Sequence, residues 1–188
     1  MQTLPATVGL VSCVVWVVLE TLRSRRSRAE ATVTDRGSFA VLLASYIVGI
    51  SVAVVCAIAL RGAALSPTWV ASVVGVLVLW AGIALRWWAM SSLGRYFTFT
   101  VQSSADQPVI ADGPYRFVRH PGYTGVLLAM VGLGLLLANW LSVLALAVVV
   151  AGGMTYRIAV EERTLIATLG QPYEDYRSTR RRLVPYVW

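Results

Sequence analysis

The sequence has little charge and few of the residue types that build soluble enzyme sites. Only 13% of its 188 residues are charged, whereas soluble domains average about a quarter. It has no lysine, one histidine and two cysteines. These shortages exclude a multi-histidine metal centre and a catalytic triad on any histidine other than His120. Cys13 and Cys56 lie inside apolar runs without metal-ligand spacing, so neither a disulfide nor a metal site is expected.

Hydrophobic residues are abundant instead, at 57% of the chain, and they fall in long blocks. A chain of this length has too little polar surface for a water-soluble globule. The net charge of +7 comes from sixteen arginines, which stand at the ends of apolar runs. That placement suits anionic lipid head groups, and we expect no nucleic-acid partner.

The apolar blocks predict an all-α integral membrane protein with about five transmembrane helices in a single domain. Spanning the ~30 Å hydrocarbon core takes roughly 20 helical residues. The block 121–156 has no charge, but one helix of that length would extend ~54 Å. It therefore predicts a tight hairpin of the fourth and fifth spans, which turns at Asn139 and Trp140. The predicted spans are residues 6–22, 38–60, 68–90, 122–138 and 141–160.

The arginines predict the orientation. Five of them lie between the first and second spans, and only Arg61 lies between the second and third. Because basic loops stay in the cytoplasm, the N-terminus is expected outside and the C-terminus inside, in a bacterial inner membrane. Residues 91–121 and 161–188 then become cytoplasmic segments, which we expect to form a cytoplasm-facing cofactor pocket.

The first polar cluster stands where the fourth span begins. Pro121 suits the first position of a helix, and a helix N-terminus favours a carboxylate or phosphate. Gly122 would let a ligand approach the backbone, and Tyr115 and Tyr123 could stack on a purine or face a cation. The alternative is a plain helix start with an interfacial arginine.

The second cluster, at the inner end of the fifth span, contains Arg157 and Glu161. These residues are four apart and share a helix face. They could form a local ion pair that ends the helix at the membrane surface. Alternatively the carboxylate could hold a cationic ligand and the guanidinium an anionic one, since ionisable residues at a bundle's membrane edge favour a cavity or a partner.

Small residues along the hairpin predict that the two clusters lie close together. Gly125, Ala129 and Gly132 recur at helical spacing, with Gly152 and Gly153 opposite. Small residues allow helix backbones to approach closely in membranes. Close packing of the hairpin would bring residues 120–123 near residues 157–161.

The motifs of these clusters resemble the isoprenylcysteine carboxyl methyltransferase family and its prokaryotic and phospholipid-methylating relatives. Order, spacing and hydrophobicity agree over roughly residues 95–186. The matching residues are Gly113-Pro114-Tyr115, Arg119-His120-Pro121-x-Tyr123-x-Gly125, Glu161-Glu162-x-x-Leu165, Gly170-x-x-Tyr173-x-x-Tyr176 and Arg182-Leu183-Val184-Pro185.

The resemblance implies S-adenosyl-L-methionine as methyl donor, S-adenosyl-L-homocysteine as product and a lipophilic acceptor that enters from the bilayer. It makes Arg157 the acceptor-binding residue and, with Glu161, the catalytic pair; no metal is implied. The sequence departs from the eukaryotic pattern in two places. Residues 107–110 stand where the eukaryotic enzymes have a His-Thr-Leu-Val-like stretch, and Gln102 aligns with the pattern only when a short gap is introduced. The implied cofactor contacts are Gln102, Gln107, Pro108, Val109, Ile110, Tyr115, His120, Pro121, Gly122, Tyr123 and Glu161.

The predicted function is thus a membrane methyltransferase, most simply one that methylates the carboxylate of an isoprenylcysteine-like substrate. Its partners would be the lipid bilayer and a lipophilic or prenylated substrate; the sequence leaves the oligomeric state open. The alternatives are methylation of a phospholipid or another small lipophilic amine or thiol, or a non-enzymatic scaffold that binds anionic lipid. A transporter is disfavoured because no ionisable residue stands at mid-membrane and no inverted repeat is visible.

Overall fold

The computed structural model describes residues 37–97 and 108–185, with single positions of the first apolar segment between residues 7 and 20. Across these residues the fold is helical, with short 3-10 turns in the connections. The helices are α1 (Ser38–Ala59), α2 (Thr68–Leu93), α3 (Pro121–Leu136), α4 (Trp140–Leu169) and α5 (Gln171–Thr179).

Three of these helices, α1, α2 and α4, are long and apolar enough to cross a membrane, and α3 is a shorter apolar helix. Their outward side chains are apolar, as lipid contact requires: Ile58 is 69% exposed and Leu77 is 65% exposed. Helix α4 has 30 residues, or ~45 Å, so its last turns extend beyond a ~30 Å hydrocarbon core. The predicted all-α integral membrane fold is confirmed.

The small residues of α3 pack mainly against α2, so the expectation that they meet Gly152 and Gly153 across the hairpin is wrong. A Cβ on Gly82 would lie 2.5 Å from the carbonyl oxygen of Gly125, and a Cβ on Gly125 would lie 2.6 Å from that of Gly82. Space around Gly152 is open, and Gly153 instead meets α1 at Ser45. Because only glycine permits such close backbone contact, α2 and α3 form one tightly packed layer.

The predicted hairpin turn at Asn139 is confirmed, and the Asn139 side chain joins two helix ends there. Its oxygen accepts hydrogen bonds from the backbone N–H groups of Leu141 (3.0 Å) and Ser142 (3.2 Å), which caps α4. Its Nδ2 donates to the carbonyls of Leu60 (3.0 Å) and Cys56 (3.3 Å), which terminates α1. One buried amide therefore satisfies backbone groups at the ends of two helices.

We predict that Asn139→Ala lowers the free energy of unfolding by about 1–3 kcal/mol, because the N-cap and the two donated bonds are lost together. Asn139→Asp keeps the capping oxygen but loses the Nδ2 donors. With a protonated carboxyl, it should lower the free energy of unfolding less than Asn139→Ala does. With a charged carboxyl, buried without a partner, it should lower it as much as Asn139→Ala does. Thermal unfolding in detergent measures both. Equal stability of wild type and Asn139→Ala would contradict this account of the hairpin.

At the opposite end of α4 the chain folds back on itself. Gly170 (φ +59°) ends α4, and α5 follows directly. Residue Arg181 then pairs with Val118 in a parallel bridge, and the Tyr176 hydroxyl donates to the Tyr115 carbonyl at 2.7 Å. The C-terminal segment is thereby held against the turn that leads into α3.

Candidate functional site

A chain of polar contacts crosses from α1 through α4 to the first turn of α3. Arg157, only 2% exposed, donates from Nη1 to the Ser38 Oγ at 2.7 Å and from Nε to the Tyr123 hydroxyl at 3.2 Å. The Tyr123 hydroxyl in turn donates to Oε2 of Glu161 at 2.8 Å. This hydroxyl thus connects a buried guanidinium with a carboxylate.

The Glu161 carboxylate keeps an open side. Its side chain is 30% exposed, and its Oε1 lies 4.0 Å from the Nδ1 of His120, whose side chain is only 4% exposed. The rings of His120 and Tyr123 lie 5.7 Å apart and tilted. A carboxylate between a histidine and a tyrosine, partly open to solvent, can accept hydrogen bonds from a ligand or face its positive charge.

The neighbouring carboxylate, Glu162, is buried and surrounded by cationic groups. Its Oε1 accepts hydrogen bonds from Arg119 Nε (2.8 Å) and lies 3.3 Å from Nε2 of His120; its Oε2 accepts from Arg182 Nη2 (3.0 Å). Burial raises the pKa of Glu162, but His120, Arg182 and Arg119 outweigh it and lower this pKa to about 2. Glu162 is therefore ionised at neutral pH.

Tyr115 lies on the Glu161 side of the same region. Burial, and then the charge of Glu161, raises the pKa of the Tyr115 hydroxyl, so this phenol stays protonated. The turn Gly113–Arg116 that carries it depends on Gly113, which has φ +57° and whose Cβ would lie 2.6 Å from the Ser92 Oγ. A residue with a side chain would strain this turn and push it off α2.

Of the predicted site residues, the structure brings together His120, Tyr123, Arg157 and Glu161, with Tyr115 close by. Pro121 is fully buried as the first residue of α3, and the Gly122 carbonyl accepts a bond from Arg86 Nη1 at 3.3 Å. Residues 108–110 form the non-helical stretch before the turn, with Pro108 exposed and the next two half-buried. Gln102 and Gln107 lie outside the described residues. The ligand contacts assigned to all these positions stay predictions.

Sequence reasoning missed several partners. Ser38 binds Arg157 from a helix more than a hundred residues away, and no local pattern signals such a pair. Arg119, Glu162 and Arg182 stood in the quoted motifs but received no role. Glu20 and Arg86, each the one charge within a predicted span, form an ion pair; the rule that intramembrane charges seek partners could have found it.

Together the fold and this cluster define a class: an integral membrane protein whose helices hold a half-open polar site at one end. The site combines a guanidinium for an anion, a carboxylate for a cation and two tyrosines beside them. It lies where α4 passes beyond the length of the hydrocarbon core. A ligand can therefore be polar at one end and lipophilic at the other.

Comparison with known proteins agrees with this class. The model of the isoprenylcysteine carboxyl methyltransferase (ICMT) family matches residues 73–167. A probable protein-S-isoprenylcysteine O-methyltransferase of Oryza sativa subsp. indica is 33% identical over 121 residues, which are 63% of this chain and 63% of the rice protein. The protein-S-isoprenylcysteine O-methyltransferase of Schizosaccharomyces pombe is 35% identical over 118 residues, 62% of this chain and 49% of the yeast protein.

A solved structure is similar as well. It is that of the eukaryotic intramembrane Ras methyltransferase ICMT, with a TM-score of 0.61 and 26% identity, covering 79% of this chain and 52% of the other. The matches thus span between about half and 63% of these relatives. This chain belongs to the isoprenylcysteine carboxyl methyltransferase family.

Proposed function

We propose that this protein is an S-adenosyl-L-methionine-dependent methyltransferase that methylates the carboxylate of a lipophilic, isoprenylcysteine-like acceptor. The observation that carries the proposal is the Tyr123 hydroxyl, which joins buried Arg157 to half-open Glu161. A site for a carboxylate and a site for a cation are thereby adjacent. Transfer of a methyl group from a sulfonium to a carboxylate needs that adjacency.

The residues present suit such a donor. Glu161 offers a partly exposed carboxylate to a cation or to hydroxyl groups. Tyr115 and Tyr123 offer aromatic surface to a purine, and the positive dipole end of α3, which begins directly after His120, suits a carboxylate. These residues, with Pro121, Gly122 and the stretch 107–110, would hold the donor, and Gln102 would add a further contact.

When bound, S-adenosyl-L-methionine supplies an electrophilic methyl group on a sulfonium and leaves as S-adenosyl-L-homocysteine. Arg157 orients the acceptor carboxylate through its guanidinium, and Tyr123 and Ser38 fix the plane of that guanidinium. A carboxylate is already a nucleophile at neutral pH, so no general base is required of the protein. The apolar helices exclude water from the acceptor side, which leaves the carboxylate less solvated and more reactive.

We also propose that the site faces the cytoplasm of a bacterial cell, with the N-terminus outside and five spans in the inner membrane. The excess of arginine on the 23–37 loop, on residues 91–121 and on the C-terminal segment supports this orientation. The methyl donor would then enter from the cytoplasm, and the acceptor from the bilayer. The partners are the lipid and the acceptor.

The proposal is tested by titrating S-adenosyl-L-homocysteine into the purified protein by calorimetry, in detergent and in lipid nanodiscs. We expect saturable one-site binding. Methyl transfer is then measured with an S-prenylated cysteine that has a free carboxylate, beside its carboxyl methyl ester and phosphatidylethanolamine vesicles. Transfer to the free acid alone supports carboxyl methylation, transfer to the amine lipid overturns it in favour of a phospholipid methyltransferase, and absence of binding overturns the enzyme in favour of a lipid-binding scaffold.

A further inference from the structure

The two consecutive carboxylates of α4, Glu161 and Glu162, contact different groups. Consecutive residues of an α-helix point about 100° apart, so Glu161 and Glu162 point to different sides of α4 and lie near different ring nitrogens of His120. Glu161 faces the Tyr123 hydroxyl and is partly open. Glu162 faces Arg119, His120 and Arg182 and is only 3% exposed. The mechanism above uses the first carboxylate and leaves the second without a role.

The contacts of Glu162 join three parts of the chain. Arg119 and His120 stand directly before α3, Arg182 belongs to the C-terminal segment, and Glu162 itself lies on α4. Two of these parts are also joined by backbone bonds, because the N–H groups of Arg119 and His120 donate to the carbonyls of Arg181 (2.8 Å) and Arg182 (3.0 Å). Arg119 Nη1 adds bonds to the carbonyls of Arg180 (2.6 Å) and Arg177 (2.9 Å).

The geometry also fixes the histidine ring. An ionised carboxylate can only accept hydrogen bonds, so the His120 nitrogen that lies 3.3 Å from Glu162, Nε2, must be the one that carries the proton. The other nitrogen, Nδ1, then lies on the side of Glu161. Glu162 thus determines which nitrogen of His120 faces the site.

We propose that Glu162 is a positioning residue for the methyl-donor side of the site: it sets the proton position of His120 and holds the C-terminal segment against the start of α3. The inference rests on the proposed function for its effect on the donor, while its effect on the histidine is independent of it. Glu162 acts through these partners and touches neither donor nor acceptor.

The single histidine of the chain makes the proposal directly measurable. In protein labelled with ¹⁵N-histidine and freed of any polyhistidine tag, every imidazole signal belongs to His120. We expect the Nε2–H tautomer as the main neutral species in wild type. We expect Glu162→Gln to shift the Nε2 signal strongly and to give a mixture of tautomers. The Nδ1–H form as the main neutral species in wild type would overturn the proposal even if no variant folds.

Binding and kinetics supply the second readout. Loss of a hydrogen bond to a charged group weakens an interaction about tenfold or more, so we expect Glu162→Gln to raise the Kd of S-adenosyl-L-homocysteine and the KM of the donor about tenfold. The acceptor KM should stay within about twofold, because Arg157 and Tyr123 are untouched. Glu162→Asp, which keeps the charge, should recover part of the affinity.

Glu174→Gln, which removes an exposed carboxylate of α5, is the matched control and should behave as wild type. A folded Glu162→Gln variant with the wild-type Kd, or one that raises donor and acceptor KM equally, overturns the positioning role. Failure of wild type to bind S-adenosyl-L-homocysteine counts against the proposed function instead. The ¹⁵N signals of His120 still decide the role of Glu162 in that case.

Discussion

Arg157→Ala is expected to lower kcat/KM for the acceptor between about 30-fold and several thousand-fold. Removing one partner of a buried, hydrogen-bonded charge pair costs about 2–5 kcal/mol, and each 1.4 kcal/mol is tenfold. Arg157 is almost fully buried and is aimed by Ser38 and Tyr123, so no other guanidinium can take over its position without repacking. The measurement is steady-state methyl transfer to an S-prenylated cysteine with a free carboxylate.

The same variant should keep the affinity for S-adenosyl-L-homocysteine within about threefold, since Glu161 and His120 remain. Arg157→Lys is the conservative comparison: it keeps the charge but loses the planar fork, so most of the activity should still be lost. Ser38→Ala removes only one of the groups that orient the guanidinium and should cost much less. Arg157→Ala with unchanged acceptor kinetics, in protein of wild-type thermal stability, would refute an acceptor-binding role.

Glu161→Gln is expected to weaken binding of S-adenosyl-L-homocysteine about tenfold and of the sulfonium donor more strongly still. The carboxylate accepts hydrogen bonds, and it also neutralises a positive charge that only the donor carries. Because Glu161 is partly exposed, solvent screening limits the charge contribution. Calorimetry with the product and the donor KM measure the two contributions separately.

Tyr123→Phe is the matched control for that carboxylate, because it removes the hydroxyl that Glu161 and Arg157 share but keeps the charge of both. We expect a smaller loss of donor affinity than in Glu161→Gln, together with a rise in acceptor KM because Arg157 is less well oriented. If Glu161→Gln binds product and donor like wild type, Glu161 does not hold the donor. If Tyr123→Phe leaves the acceptor KM unchanged, the shared hydroxyl does not orient Arg157.

The sequence by itself determined the helical membrane fold and the position of the hairpin turn. A charge-free run of 36 residues is too long for one span, so bilayer thickness required a break. The pair Asn139 and Trp140 near the middle of the run indicated its position, because Trp favours the membrane interface. The motif residues His120, Tyr123, Arg157 and Glu161 were also predicted as one site, because the hairpin returns the chain to the side where it entered.

Only the tertiary structure decided which groups touch. Hydrogen-bond partners depend on how helices rotate and slide against one another, and hydrophobic periodicity is weak in a helix that faces lipid on one side and apolar neighbours on the other. Thus Ser38 was not visible as the partner of Arg157, and the small residues of α3 were assigned to the wrong neighbour. The different contacts of Glu161 and Glu162 also became visible only in the structure. Adjacent carboxylates look alike in a sequence, and it is the fold that turns one toward Tyr123 and the other toward Arg119.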